Sequence, residues 1–225
     1  MGKKKLIRFQ DMKTMDCVFE PDMKTCLEDS FPLKGKWRSD YFKNDKPLII
    51  ELGCGKGEYT VQLAKQYPNK NYVGLDIKGS RIWYGADEVR REGMNNVGFV
   101  RTKVDFVEKF FAPGEVDEIW LTFSDPQPKK PRKRLSSELF VDRYRKILKS
   151  DGIVHLKTDN SMLFDYTLEQ IEEHNYQLME STWDLYGEEM EKLDKETQDI
   201  LGIKTHYEVM FEEKGFDIKY CKFSI

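Results

Sequence analysis

At 225 residues the chain has the size of one domain, long enough to bury a full apolar core without disulfides or metals. Its 37 basic and 40 acidic residues give a formal net charge of −3, which argues against a uniformly basic nucleic-acid binder, and no apolar run approaches a membrane span. The start Met1-Gly2-Lys3-Lys4-Lys5 offers only Leu6 and Ile7 before Arg8, too little for a secretion signal; Cys17, Cys26, Cys54 and Cys221 form no C-x-x-C pair and have no histidine at ligand spacing, so they read as reduced thiols of a cytoplasmic protein without a metal.

In chain order, the first 45 residues read as a weakly structured basic arm, with five basic residues against Asp11 up to Lys13 and scattered aromatics such as Trp37, Tyr41 and Phe42. Residues 48–52 then form a buried-type strand that runs straight into Gly53-Cys54-Gly55-Lys56-Gly57-Glu58. Glycines at alternating positions let the backbone adopt positive φ and come close to a ligand, and the helix that follows offers free N–H groups. A dinucleotide fingerprint would need glycine where this chain has Glu58, whose carboxylate repels a pyrophosphate. Glu51, two residues before Gly53, suits a cationic, phosphate-free nucleoside, and S-adenosylmethionine (AdoMet) has that character.

The next strand, residues 72–77, carries Asp76, nineteen residues past Gly57, where an acidic side chain can accept both ribose hydroxyls of either NAD or AdoMet. Further strands fall at 97–101, 118–124 and 153–158, separated by helical spacing at 59–67, 80–91, 106–111 and 137–149. In the last of these Phe140, Tyr144, Ile147 and Leu148 form the core stripe, Ser136 or Ser137 is the N-cap, and Gly152 ends the helical excursion. After a helix over 162–174, residues 177–186, 206–212 and 217–223 are strand-like, the last two joined by a turn at Glu213-Lys214-Gly215 that makes them antiparallel. The fold class is therefore α/β: a doubly wound, mostly parallel sheet ending in an antiparallel hairpin, with ligands outside the carboxyl ends of the strands.

The fourth of these strands leads into Asp125-Pro126-Gln127-Pro128-Lys129-Lys130-Pro131-Arg132-Lys133-Arg134. Three prolines stiffen this loop and remove N–H donors, so its cations face outward from a fixed platform that suits phosphate backbones. From residue 129 to 149 there are nine basic residues against Glu138 and Asp142, whereas 165–199 holds twelve acidic residues against Lys192 and Lys195. Such polarity attracts a polyanion to one face and repels it from another. Asp159, after the fifth strand, sets a second carboxylate beside the same sheet end.

The Asp125-Pro126 step is similar to the loop of methyltransferases that act on exocyclic base nitrogens, although their aromatic residue is absent here. Glu51 to Gly57, Asp76, the block from Phe123 to Leu135, the strand end His155-Leu156-Lys157-Thr158-Asp159 and the late Thr205-His206-Tyr207-Glu208 together resemble the bacterial tRNA (guanine-N7-)-methyltransferases over residues 48–225. The resemblance implies a class I, Rossmann-like AdoMet-dependent fold that methylates N7 of the variable-loop guanine, position 46 of tRNA, to 7-methylguanosine. It implies AdoMet contacts from Glu51, Gly53, Gly55, Gly57, Asp76 and Asp125, and a catalytic role for Asp125. It further implies substrate contacts from Lys129, Asp159, Thr205, His206, Tyr207 and Glu208, and RNA contacts from Lys130, Arg132, Lys133 and Arg134.

The chain departs from that family pattern at Gln127, where a tryptophan is usual, and at Lys103, where an acidic residue would bind the adenine side; Asp105 follows two residues later. Guanine N7 carries a lone pair and no proton, so the implied transfer needs positioning more than a general base, and Asp125 is read as an orienting acceptor. Two rival readings remain at this level. One is an AdoMet methyltransferase with another substrate, disfavoured by the basic loop and the missing aromatic; the other is a non-catalytic RNA binder, disfavoured by Glu51, Asp76 and Asp125.

Overall fold

The computed structural model describes residues 3–193, 195–205, 208–210 and 213–225. Its eight-stranded sheet comprises β1 (Val18–Phe19), β2 (Leu48–Leu52), β3 (Asn71–Asp76), β4 (Val97–Arg101), β5 (Val116–Thr122), β6 (Leu148–Thr158), β7 (Gln177–Thr182) and β8 (Lys219–Ser224), in the order β1-β4-β3-β2-β5-β6-β8-β7. The segments from β1 to β6 pair in parallel, and β8 runs antiparallel between β6 and β7. Every residue of β2 is buried, because helices cover both faces; such strands read as continuous apolar runs without alternation.

The helices are α1 (Lys3–Met12), α2 (Met23–Leu27), α3 (Glu58–Gln66), α4 (Gly79–Glu92), α5 (Glu138–Arg145), α6 (Ser161–Glu173), α7 (Met190–Lys192) and α8 (Lys195–Leu201). Two apolar clusters sandwich the sheet. On one face Ile49, Tyr72, Phe99 and Trp120 pack with Tyr59 and Leu63 of α3 and Ile82 and Val89 of α4. On the other, Ile50, Leu75 and Leu156 pack with Phe140 and Tyr144 of α5 and Leu163 and Phe164 of α6. Among the described residues no helix is long and apolar enough to cross a membrane.

Three expectations need correction. The first 45 residues are not a loose arm in their described part. Trp37 is fully buried, stacks on Phe111 at 5.7 Å, meets Phe19 edge-on at 5.3 Å and donates its indole N–H to the Phe110 carbonyl at 2.9 Å. Glu115 accepts from the backbone N–H groups of Gly35, Trp37 and Ala112, which ties this segment to the loop before β5. These aromatics follow no helical or strand period, so pattern reading missed a contact set that only folding assembles.

The helix expected over 137–149 ends at Arg145, and β6 already begins at Leu148, because Leu148 pairs with Val116, the first residue of β5. Ser137 takes the N-cap position, but its hydroxyl donates to the Arg132 carbonyl at 3.1 Å instead of capping. The strand expected over 206–212 is helical at 208–210, so the antiparallel partners of β8 are β6 and β7. His206, Tyr207, Phe211 and Glu212 lie outside the described residues.

Replacing Trp37 by alanine should cost about 3 to 5 kcal/mol, the usual range for a buried large aromatic, measured as a drop in the urea unfolding midpoint. An unchanged midpoint would make the N-terminal segment an appendage to a core that stands without it.

Candidate active site and nucleic-acid interface

The site is built on the turn between β2 and α3. Its backbone is left-handed at Gly53, Gly55 and Gly57 (φ 81°, 57° and 73°), a conformation that side chains strain. Gly57 is also the point of closest approach: a Cβ there would lie 2.7 Å from the Phe99 ring and 3.5 Å from the Cα of Gly85 on α4. Beneath the turn, Glu51 is 5 % exposed and accepts hydrogen bonds from the Thr60 N–H at 3.0 Å and from the hydroxyls of Thr60 and Thr122. Burial pushes its carboxyl up to about 7, against the lowering effect of those hydrogen bonds. Glu51 therefore braces the turn from below and does not line the cleft above it.

That cleft, about 780 Å³, opens at the carboxyl ends of the parallel strands and falls in the range of small-molecule sites. Gly53 and Asp76 form one wall, Thr102 and Asp105 after β4 a second, and Ser124 and Asp125 after β5 a third. Asp76 accepts from the N–H groups of Gly55 at 3.0 Å and Lys78 at 2.6 Å, so its position is set by the turn that it faces. Asp159, after β6, is held above the usual carboxylate range by burial and lines the same space.

The loop carrying Asp125 is over-determined. Phe123 and Gln127, on either side of it, both have positive φ (48° and 44°), an arrangement that costs of order 1 kcal/mol or more each and persists only where surroundings enforce it. Asp125 accepts from the Gln127 N–H at 3.0 Å. Arg134 donates to the Pro126 carbonyl at 3.0 Å and lies 4.3 Å over the Tyr166 ring of α6. Between these supports the Ser124 hydroxyl is buried without a hydrogen-bond partner among the described residues, and it lines the cleft.

The structure brings together some of the residues picked from sequence and separates others. Gly53, Asp76, Asp125, Asp159, Lys130 and Lys133 line one cleft. Lys129 and Arg132 are exposed outside it. Arg134 was expected to touch RNA, yet it is 5 % exposed and spent on the loop carbonyl and Tyr166, because the loop folds back over α6.

Thr205 and Glu208, expected to touch substrate, are buried and are not among the residues that line the cleft. Glu208 forms a fully buried ion pair with Lys157 of β6 at 2.7 Å and accepts from the Tyr186 hydroxyl, and Lys157 also donates to the carbonyls of Leu201 at 2.6 Å and Ile203 at 3.0 Å. The pair staples the segment after β7 onto the sheet. His206 and Tyr207 fall outside the described residues.

Sequence reasoning passed over Thr102, Ser124 and the start of α4, where Lys78 and Arg81 also line the cleft. The signal was available in part: a ligand lies outside the carboxyl ends of all the central strands, so residues just after β4 belong to the search. Asp105 does reach the cleft, where it pairs with Lys133 at 3.0 Å.

A family model described as a putative methyltransferase matches residues 45–221. A tRNA (guanine-N(7)-)-methyltransferase of Bacteroides fragilis is 50% identical over 223 residues, covering 99% of this chain and 86% of that protein. One of Christiangramia forsetii, bearing the same name, is 43% identical over 226 residues, covering 100% of this chain and 99% of its own. Among solved structures, the 16S rRNA methyltransferase KamB superposes with a TM-score of 0.61 at 14% identity, covering 85% of this chain and 91% of its own, which speaks to the fold alone.

The buried carboxyl of Glu51 has a pH signature. Its value rises from 4.5 to about 7 on folding, so the folded state holds the proton more tightly; this contribution to stability is complete below about 4.5 and is lost as pH rises through about 7. Relative to wild type, Glu51→Gln should therefore gain stability between pH 5 and pH 8, by on the order of 3 kcal/mol in all, read from urea midpoints at each pH. Parallel pH profiles for the two proteins would mean that Glu51 is ionised throughout.

Proposed function

Because the chain belongs to the family of tRNA (guanine-N(7)-)-methyltransferases, we propose that it transfers a methyl group from AdoMet to N7 of a guanine in tRNA, the variable-loop guanine at position 46. The observation that carries this reading is the shared cleft: a left-handed glycine turn and Asp76 on one side, the strained Asp125 loop on the other, and Lys130 and Lys133 at its rim.

The donor set fits the cofactor. The turn offers a backbone surface free of side chains, with open space where a Cβ of Gly55 would stand. Asp76 is anchored by two backbone N–H groups and can accept from ribose hydroxyls. Ile77, Val104, Phe123 and Leu135 add apolar lining, and the unpartnered Ser124 hydroxyl leaves a polar group for a ligand to satisfy. When bound, AdoMet supplies a methyl group on a sulfonium, which the lone pair of a ring nitrogen can attack directly as the carbon–sulfur bond breaks and the neutral thioether leaves.

Guanine N7 has such a lone pair and no proton to lose, so no side chain is required as a base. Asp125 orients the guanine edge as an acceptor, on a loop held by Arg134 and the flanking positive-φ residues. Asp159 faces the same space from the end of β6, where burial holds its carboxyl above the usual carboxylate range and its oxygens can accept from the guanine N1–H and amine. Holding the nucleophile and the methyl in line is worth about 7 to 11 kcal/mol in the best intramolecular cases, and rigid walls serve that end. Lys129, Lys130, Arg132 and Lys133 meet the phosphates flanking a nucleotide displaced into the cleft. The buried Glu208 and Thr205 act through the fold and not by touching the base.

Asp76→Ala should weaken AdoMet binding by about 1 to 3 kcal/mol in isothermal titration, since ribose hydroxyls would lose their acceptor. Unaltered affinity would remove Asp76 from the cofactor site.

A tRNA with 7-deazaguanosine at position 46 keeps the shape and Watson–Crick edge of the base but has carbon in place of N7. It should bind nearly as well as the normal tRNA and accept no methyl group, whereas unmodified tRNA should yield 7-methylguanosine by nucleoside mass spectrometry. Methyl transfer to the deaza tRNA at the normal rate would move the target to another atom.

A further inference from the structure

A guanine that enters the cleft as part of a polynucleotide has a phosphate on each side, so a basic loop on one rim leaves the opposite rim to account for. That rim is the first half of α4 with α1 packed along it. Lys78 and Arg81 line the cleft, and Tyr84, three residues beyond Arg81 and hence on the same helical face, is 41 % exposed. Arg8 of α1 lies 4.3 Å over the Tyr84 ring and 5.0 Å over that of Trp83, and it donates to the Tyr84 hydroxyl at 2.7 Å. Lys56, from the glycine turn, lies 5.8 Å from the same Tyr84 ring. α1 is seated firmly here, since a Cβ at Gly79 would come within 2.7 Å of the Phe9 ring, over which Lys5 lies at 6.0 Å.

The charges of Arg8 and Lys56 are poorly compensated. Among the described residues Arg8 has no carboxylate within ion-pair distance, and Lys56 has only Glu58 at 3.5 Å. Further along α4 the picture reverses, with Asp87, Glu88 and Glu92 each paired to Arg90, Arg91 or Lys65. Arg8 and Lys56 thus converge on one exposed ring although like charges repel, which an anion placed between them would relieve. A guanidinium has five N–H donors in a fixed fork, and the bond to Tyr84 uses one. An exposed tyrosine adds a face on which an unpaired base can stack.

We propose that this α1–α4 rim, centred on Arg8, Lys56 and Tyr84 and continuous with Lys78 and Arg81, is a second contact surface for the tRNA backbone, so that the substrate is held on both sides of the cleft. The proposal rests on the reading of tRNA as substrate. Continuity with the cleft favours RNA over an acidic protein as occupant, because the same polyanion must cross this rim to deliver a base.

The test uses the full chain with Arg8→Ala, Arg8→Glu, Arg8→Lys and Tyr84→Ala, measuring tRNA binding over a series of salt concentrations, AdoMet binding by titration, and the thermal midpoint. Arg8→Ala should weaken tRNA binding several-fold and flatten the plot of log K against log salt by up to about one unit, Arg8→Glu should weaken it further, and Arg8→Lys should keep most of the slope. AdoMet affinity and the midpoint should stay near wild type in all four, which separates lost contact from lost fold. Wild-type slopes in Arg8→Ala and Arg8→Glu, in a protein that still binds and methylates tRNA, would overturn the second surface and leave the proposed function standing. Retention of polyglutamate through Arg8 with no change in tRNA binding would hand the rim to an acidic protein instead. A wild-type protein that neither binds nor methylates tRNA would overturn the substrate reading itself, and this proposal with it.

Discussion

The buried carboxyl of Glu51 holds three elements of the site at once. It takes the Thr60 N–H and hydroxyl at the start of α3 and the Thr122 hydroxyl at the end of β5, while its own backbone sits in the central strand β2. Burying a carboxyl is costly unless its lone pairs are filled, and here two threonines fill them. The glycine turn lies directly above this cluster, so the backbone surface facing a ligand is set by hydrogen bonds below it. Asp76 then fixes the same turn from the side through the Gly55 N–H. A ligand site built this way needs little reorganisation on binding, which is what transfer between two positioned atoms requires.

A second buried charge serves the other end of the sheet. Lys157 and Glu208, both fully buried, meet at 2.7 Å, and the Lys157 ammonium also takes the carbonyls of Leu201 and Ile203 at the end of α8 and beyond. Breaking such a pair from one side leaves an uncompensated buried charge at a cost of about 3 to 5 kcal/mol, although apolar replacement of both partners is often tolerated. Its value here is placement: an acidic, largely helical excursion between β7 and β8 is pinned to the sheet.

The position of Arg134 shows why charge counts overstate an interface. In the sequence it is one more cation in a run of five, yet its guanidinium is consumed by the Pro126 carbonyl and the Tyr166 ring, and what it contributes is the shape of the loop that presents Asp125. Arg8, one of five basic residues in a segment expected to be loose, ends beside the cleft with donors to spare. Basic residues of the two kinds are indistinguishable until packing decides which are covered.

The sequence by itself determined the parallel sheet, the glycine turn and the acidic residues at strand ends, because these depend on local period, on the φ that only glycine adopts without strain, and on the rule that ligands lie at the carboxyl ends of parallel strands. Asp76, Asp125 and Asp159 were legible for that reason. Only the tertiary structure decided what depends on contacts between distant segments. Phe19, Phe31, Trp37 and Phe111 become one aromatic cluster with no shared period to announce it. Glu208 turns inward because Lys157, fifty-one residues earlier, offers a buried ammonium. A local pattern reports which face of an element is apolar; which polar group finds its partner there is settled only when the elements pack.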